Sequence, residues 1–199
     1  MKTRYFSSRT TALIAAFTLG LAAQNTLAQV APQVKFATTA GDFVVEVYPD
    51  KAPKTVENFL QYVTEKHYDG TIFHRVIENF MIQGGGFNTS FAQKKTRAPV
   101  QHEGREALAQ GGPKNVVGTL SMARTNDPNS ATAQFFINVK DNAFLDPNAQ
   151  QPGYTVFGRV TSGMEVVQKI KAAPTGVGGP FPSDVPKTPI VINSATLVK

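Results

Sequence analysis

The sequence predicts a mainly β domain, with short antiparallel strands closed into a barrel and two helices packed on it. Three observations predict it. Short runs rich in Val, Ile, Phe, Tyr and Thr recur along the chain, bounded by Gly, Pro, Asn and Asp. Only two segments carry apolar residues at helical spacing. No internal repeat or long linker divides the chain, so the strands belong to one domain. Closing them on themselves removes the free edges that would otherwise pair with other chains.

The first two runs, residues 34–40 and 43–48, read as a hairpin hinged at Gly41-Asp42. In the second, Phe43, Val45 and Val47 alternate with Val44, Glu46 and Tyr48. A helix is expected next. Pro53 suits its first turn, and Val56, Phe59, Leu60 and Val63 fall on one stripe. Strands follow at 71–77, 80–83, 116–122, 134–139 and 155–160. The second helix is expected to start at Ser162, with Glu165 three residues on as a capping box and Met164, Val167 and Ile170 facing inward. Residues 173–189, rich in Gly and Pro, read as a long loop, and 190–198 as the last strand.

With 199 residues, 41% of them hydrophobic and 17% charged, the chain suits one domain with a substantial core. Its start reads differently. Lys2, Arg4 and Arg9 precede an uncharged apolar run over residues 11–23, and Thr26-Leu27-Ala28 then offers small residues. That is the pattern of a secretory signal peptide over residues 1–28, with the mature domain over 29–199 and the periplasm as its destination. The apolar run is too short to span a bilayer, which takes roughly 20 residues, so no membrane association is expected once the leader is removed. A mitochondrial presequence is the alternative, because the segment is rich in Ser, Thr and Arg; the run is continuous rather than amphipathic, which favours export.

The full chain carries 20 basic and 14 acidic residues, and loss of Lys2, Arg4 and Arg9 leaves 17 against 14, a net +3. Lys94, Lys95 and Arg97 form the one local cluster of cations. It reads as a solvated loop rather than a nucleic-acid patch, since no basic and aromatic stripe accompanies it. Cysteine is absent, which excludes disulfides, thiol nucleophiles and Cys-ligated zinc. His67, His74 and His102 lack metal-ligand spacing and read as structural or surface residues. Neither a metal nor a cofactor is expected.

The segment FHRVIENFMIQGG, residues 73–85, surrounds a permanent cation, Arg75, with Phe73, Val76, Ile77, Phe80, Met81 and Ile82. Alternation predicts Phe73, Arg75 and Ile77 on one face and Ile72, His74 and Val76 on the other. A hairpin through Glu78-Asn79 would bring Arg75 close to Gln83, an amide that could steady it. An exposed arginine snorkelling into water is the plain reading. Against it, Phe73, Val76, Ile77, Phe80, Met81 and Ile82 around it are apolar, and burying a cation without purpose is costly.

A second dense block, LSMARTNDPNSATAQFFINV at 120–139, is followed by AFLD at 143–146 and YTVFGRV at 154–160. With YDGTIFHRVIENFMIQGG from Tyr68, these blocks resemble the cyclophilins, the cyclophilin-type peptidyl-prolyl cis-trans isomerases. The resemblance runs from about Val34 to Val198, and the form MART-DP-SATAQFFIN looks most like the periplasmic bacterial branch. It implies an eight-stranded closed antiparallel barrel capped by two helices, with a substrate groove on the outer face. It also implies peptidyl-prolyl cis-trans isomerase activity on proline-containing unfolded or partly folded polypeptides, assisting the folding of exported proteins, and a monomer is expected.

Carried over position by position, Arg75 matches the catalytic arginine and Gln83 the glutamine beside it. Phe80, Met81, Phe136 and Leu145 match the apolar wall that holds the substrate proline. Ala123 and Arg124 fall where backbone atoms pair with the peptide, and Tyr154 at the rim of the proline pocket. Phe144 stands where the best-known animal members have a tryptophan, and Tyr154 where they have a histidine. Phe144 has no indole N–H to donate, so weak cyclosporin binding is expected. Of Phe135 and Phe136, the first is assigned to the core and the second to the site. Two rival readings carry less weight. A binding module without turnover would not need Arg75, and a hydrolase built on Ser121 lacks both a G-x-S-x-G elbow and a placed histidine.

Overall fold

Strand β1 (Gln33–Thr38) and β2 (Gly41–Val47) form a hairpin in which Val34, Phe36, Thr38, Phe43, Val45 and Val47 are buried at every second position. The computed structural model in which they are seen describes residue 1 and residues 31–198. The leader expected over 1–28 therefore lies, residue 1 aside, outside the described residues. The hairpin turns at Thr39-Ala40, two residues before the expected Gly41-Asp42. The Thr38 hydroxyl donates to the Gly41 carbonyl at 2.6 Å and accepts from the Ala40 N–H at 3.1 Å. That side-chain turn closes the loop early, and Gly41 becomes the first residue of β2, paired with Thr38.

Helix α1 (Pro53–Thr64) buries Thr55, Val56, Phe59, Tyr62 and Val63. Tyr62 joins the expected stripe, whereas Leu60 is only half-buried. Ala52 at the N-cap has no side-chain oxygen to offer, so the cap comes from far along the chain. The buried Glu103 carboxylate accepts from the N–H groups of Lys54 (3.1 Å) and Thr55 (2.7 Å) and from the Thr55 hydroxyl (2.7 Å).

β3 (Thr71–Ile77) and β4 (Met81–Asn88) follow as a second hairpin. A short helix, α2 (Gly104–Ala109), was not expected; at six residues it is too brief to show a stripe in sequence. β5 (Thr119–Met122), β6 (Phe135–Asn138) and β7 (Val156–Ser162) complete the middle of the chain, with single 3₁₀ turns at Pro128–Ser130 and Ala143–Leu145. Helix α3 (Met164–Lys171) starts later than expected. Ser162 is the last residue of β7, and Gly163 precedes the helix with φ +78° and no side-chain cap. A Cβ there would lie 2.4 Å from the Asp42 carbonyl oxygen, so close strand packing, not a capping box, decides the residue.

The segment 173–189 is not a plain loop. It holds a two-stranded ribbon, β8 (Thr175–Gly178) with β9 (Phe181–Pro186), which pairs only with itself and packs on β3 through Phe181. β10 (Val191–Leu197) then closes the chain.

The barrel order is β1-β10-β3-β4-β6-β5-β7-β2, closed through the β1–β2 hairpin, and all eight neighbouring pairs are antiparallel. Phe36, Phe43, Phe59, Phe73, Phe135, Phe157 and Tyr68 fill the interior. Phe36 and Phe43 stack at 5.0 Å, and the Tyr68 hydroxyl is satisfied by the Ala133 carbonyl at 2.9 Å. Of the described helices, none is long and apolar enough to cross a membrane.

Candidate active site

The site begins with an irregularity in β3. Phe73 lies opposite Gly84, and Arg75 opposite Gln83. Two steps along β3 thus match one along β4, which makes His74 the extra residue of a β-bulge. The bulge breaks the alternation that the sequence predicts. Phe73 and Val76 both enter the core, while Arg75 turns to the outer face with Ile77. Phe73 therefore does not share a face with Arg75, contrary to expectation.

From Arg75 a row runs across neighbouring strands: Gln83 on β4 is opposite it, Phe136 on β6 is opposite Gln83, and Ser121 on β5 is opposite Phe136. Opposite residues of antiparallel strands share a face. The adjoining row, Val76, Ile82, Ile137 and Leu120, lies in the core. Phe135 accordingly points in and Phe136 out, as assigned.

On the outer face Met81, Phe136 and Leu145 are buried against one another, with Ile77, Phe80, Ala123 and Tyr154 packed around them. Between these side chains and Arg75 is a hollow of about 110 Å³ lined by Arg75, Phe80, Met81, Gln83, Ala123, Arg124, Phe136, Leu145 and Tyr154. A water occupies about 30 Å³ of liquid, so the hollow has room for a small ring rather than a large ligand. A roomier cleft, about 660 Å³ near Thr39, Lys169, Pro174 and Ile190, brings together no comparable set of polar and apolar groups.

Nine of the ten site residues expected from the sequence line the hollow. Phe144 does not. The residue is 63% exposed, and its ring stacks on Phe80 at 5.6 Å, outside the wall. Gln83 faces Arg75 as expected, but its Nε2 donates to Gln134 at 3.0 Å. The Phe136 and Tyr154 rings meet edge to face at 5.5 Å, and the Arg124 guanidinium lies 4.5 Å from the Tyr154 ring centre.

Several supporting residues escaped the sequence reading. Gln134 holds Gln83; strand alternation places it on the face of Phe136, which is the signal that could have found it. The Gly153 carbonyl holds Arg124 through Nε (3.2 Å) and Nη2 (2.8 Å). Asn142 donates from Nδ2 to the Phe80 carbonyl at 2.9 Å and to Asn138 Oδ1 at 2.7 Å, tying the β3–β4 turn to the segment bearing Leu145. Backbone carbonyls as partners leave no trace in a side-chain pattern.

The histidines stand apart from the hollow. Burial is the main cause that pushes His74 down to about 4; the neighbouring Ile72 carbonyl opposes this and the Arg75 charge adds to it. Its ring sits between Phe87 and Phe181, and Nδ1 has no hydrogen-bond partner. Burial also lowers His67 and His102. Ser121 is fully buried and donates to Asn115 Oδ1 at 2.8 Å, so it is no nucleophile. Among the described residues no group of three or more His, Asp or Glu is placed to hold a metal ion.

What the arrangement offers chemically is a guanidinium with donors in a fixed planar fork, beside an apolar hollow on rigid strands. The family model for cyclophilin type peptidyl-prolyl cis-trans isomerases matches residues 33–197, the length of this barrel. The chain belongs to that family. The peptidyl-prolyl cis-trans isomerase cyp18 of Streptomyces antibioticus is 56% identical over 168 residues, spanning 83% of this chain and 98% of the relative. Peptidyl-prolyl cis-trans isomerase B of Escherichia coli (strain K12) is 52% identical over 167 residues, spanning 82% and 98%. Among solved structures, a cyclophilin type peptidyl-prolyl cis-trans isomerase of Cryptosporidium parvum superposes with a TM-score of 0.67 at 25% identity, covering 85% of this chain and 98% of that one. The chain is thus a cyclophilin-type enzyme that catalyses rotation about X–Pro bonds.

Proposed function

We propose that this cyclophilin accelerates X–Pro rotation in exported, unfolded or partly folded proteins, and that Arg75 is the group that lowers the barrier. The observation that carries the second part is the register: the bulge at His74 sets Arg75 opposite Gln83, beside the hollow of Met81, Phe136 and Leu145.

An X–Pro bond turns slowly because its amide resonance must be broken, at a cost of roughly 18–20 kcal/mol. In the twisted state the prolyl nitrogen loses conjugation and becomes a better hydrogen-bond acceptor. A guanidinium aimed at it stabilises the twisted form more than either planar isomer, so the interaction lowers the barrier instead of merely tightening binding. Phe80, Met81, Phe136 and Leu145 hold the ring while the preceding carbonyl swings, and they keep water from weakening the contact. No proton changes hands, so the step needs neither a base nor a nucleophile.

Removing one such donor costs about 10²–10³ in rate in comparable sites. Arg75→Ala is expected to lower kcat/KM on an X–Pro peptide by about 100-fold while the far-UV circular dichroism stays that of the parent. A variant as fast as the parent would overturn the role given to Arg75.

Export is supported by the basic start, apolar run and small-residue exit of residues 1–28. Uncatalysed isomerisation takes tens of seconds, slow enough to limit folding after translocation. Fusing residues 1–28 to a reporter is expected to deliver it to the periplasm with the leader cut near Ala28; a reporter kept whole in the cytoplasm would overturn this. We also propose that the mature domain acts as a monomer and binds cyclosporin weakly, because Phe144 offers no N–H.

A further inference from the structure

We infer that this groove favours a proline flanked by an acidic residue, and that Arg124 sets the preference. The inference rests on the isomerase reading of the groove and adds the character of its substrates.

The nine residues around the hollow include two guanidiniums, Arg75 and Arg124, and no carboxylate. The salt bridges among the described residues are Lys35–Asp42, Lys51–Asp50 and Arg97–Glu65, so neither arginine is neutralised by a described acid. Two like charges at one apolar hollow repel each other and any basic side chain brought to it, and they attract an acidic one.

Arg124 is already held for that contact. Its Nε and Nη2 donate to the Gly153 carbonyl at 3.2 and 2.8 Å, its Nη1 donates to the Thr125 carbonyl at 2.8 Å, and its Cζ lies over the Tyr154 ring. Backbone carbonyls fix the group without cancelling its charge. Of the five N–H donors in a guanidinium, three are used and two have no partner among the described residues. An incoming carboxylate therefore meets a cation whose ordering has already been done, which is where much of the cost of a flexible surface contact falls. Tyr154 also packs on Phe136, so a residue next to a proline seated against Phe136 is one ring away from this charge. Arginine suits the task better than lysine, since its planar fork binds carboxylates in two-pronged fashion.

The test is kcat/KM on peptides with Glu, Gln or Lys placed before the proline and, in a second set, after it. At low salt Glu is expected to exceed Gln by about two- to five-fold on at least one side, with Lys below Gln. The ratio should fall toward one at about 1 M salt, where the screening length is about 3 Å. In Arg124→Gln the Glu-to-Gln ratio should fall toward one whatever the overall rate, with only Arg75 left to attract the acid, and in Arg124→Glu the preference should shift toward Lys. Equal rates for all three peptides in the parent would overturn the inference and leave the isomerase standing. No acceleration of any peptide would remove the isomerase reading beneath it. A preference that survives intact in a folded Arg124→Gln would overturn the role of Arg124.

Discussion

His74 gives the fold a calculable sensitivity to acid. Its ring is buried under Phe181 of β9 and beside Phe87 of β4, with the Arg75 cation next along the chain. Above about pH 6.5 the imidazole is neutral folded or unfolded, and its contribution to stability is complete. As pH falls from 6.5 toward about 4, the unfolded chain takes up a proton that the buried ring refuses. Stability is lost across that window and the loss is complete near pH 4. At roughly 1.4 kcal/mol per tenfold change, the span from 6.5 to about 4 is worth about 3 kcal/mol. His74→Phe keeps a ring among Phe87 and Phe181 but cannot titrate. The assay is urea unfolding at pH 7.5, 5.5 and 4, with parent and variant compared at each pH so that carboxylate effects common to both cancel. The variant is expected to lose about 3 kcal/mol less than the parent between the ends of the series. Equal losses would refute the reasoning and show that the folded protein accommodates a charged His74.

Removing the remote cap with Glu103→Ala leaves two N–H groups and a hydroxyl of α1 without partners, at a cost of about 3 kcal/mol; calorimetry should show Tm lower by about 6–12 °C, and a change under about 2 °C would mean that water serves as well. Phe144→Trp supplies an indole N–H at the exposed ring stacked on Phe80, and inhibition titrations are expected to show tighter cyclosporin binding; no change would place the control of affinity elsewhere in the groove. Asn142→Ala leaves the Phe80 carbonyl with only the Val139 N–H as partner and removes the tie to Asn138, and steady-state kinetics should show KM raised several-fold with a smaller effect on kcat; an unaltered KM would show the wall stands without the tie.

What the sequence made legible follows from periodicity. β3 spans the expected residues 71–77, α1 starts at Pro53, and the outward Phe136 next to the inward Phe135 obeys the two-residue repeat of a strand. The misses are places where something other than periodicity decides. The bulge at His74 adds one residue and reverses every face before it. The β8–β9 ribbon has a Gly- and Pro-rich composition that reads as loop, and it exists because its two strands satisfy each other and Phe181 finds aromatic partners on β3 and β4. Gly163 precedes α3 because a side chain there would strike the Asp42 carbonyl, a neighbour 121 positions away in the chain. In the candidate site, the lining residues were readable from the family pattern, while the carbonyls of Gly153 and Phe80 that fix its arginine and its wall were not.

The row from Arg75 to Phe136 lies on the outside of a cylinder whose inside is packed solid with rings. With the site proposed above, a client polypeptide has nothing to thread: any stretch of it, far from either end, can be laid sideways against the wall, turned at one bond and lifted off. The enzyme works on the strand as a hand works on a rope, without needing to find where the rope begins.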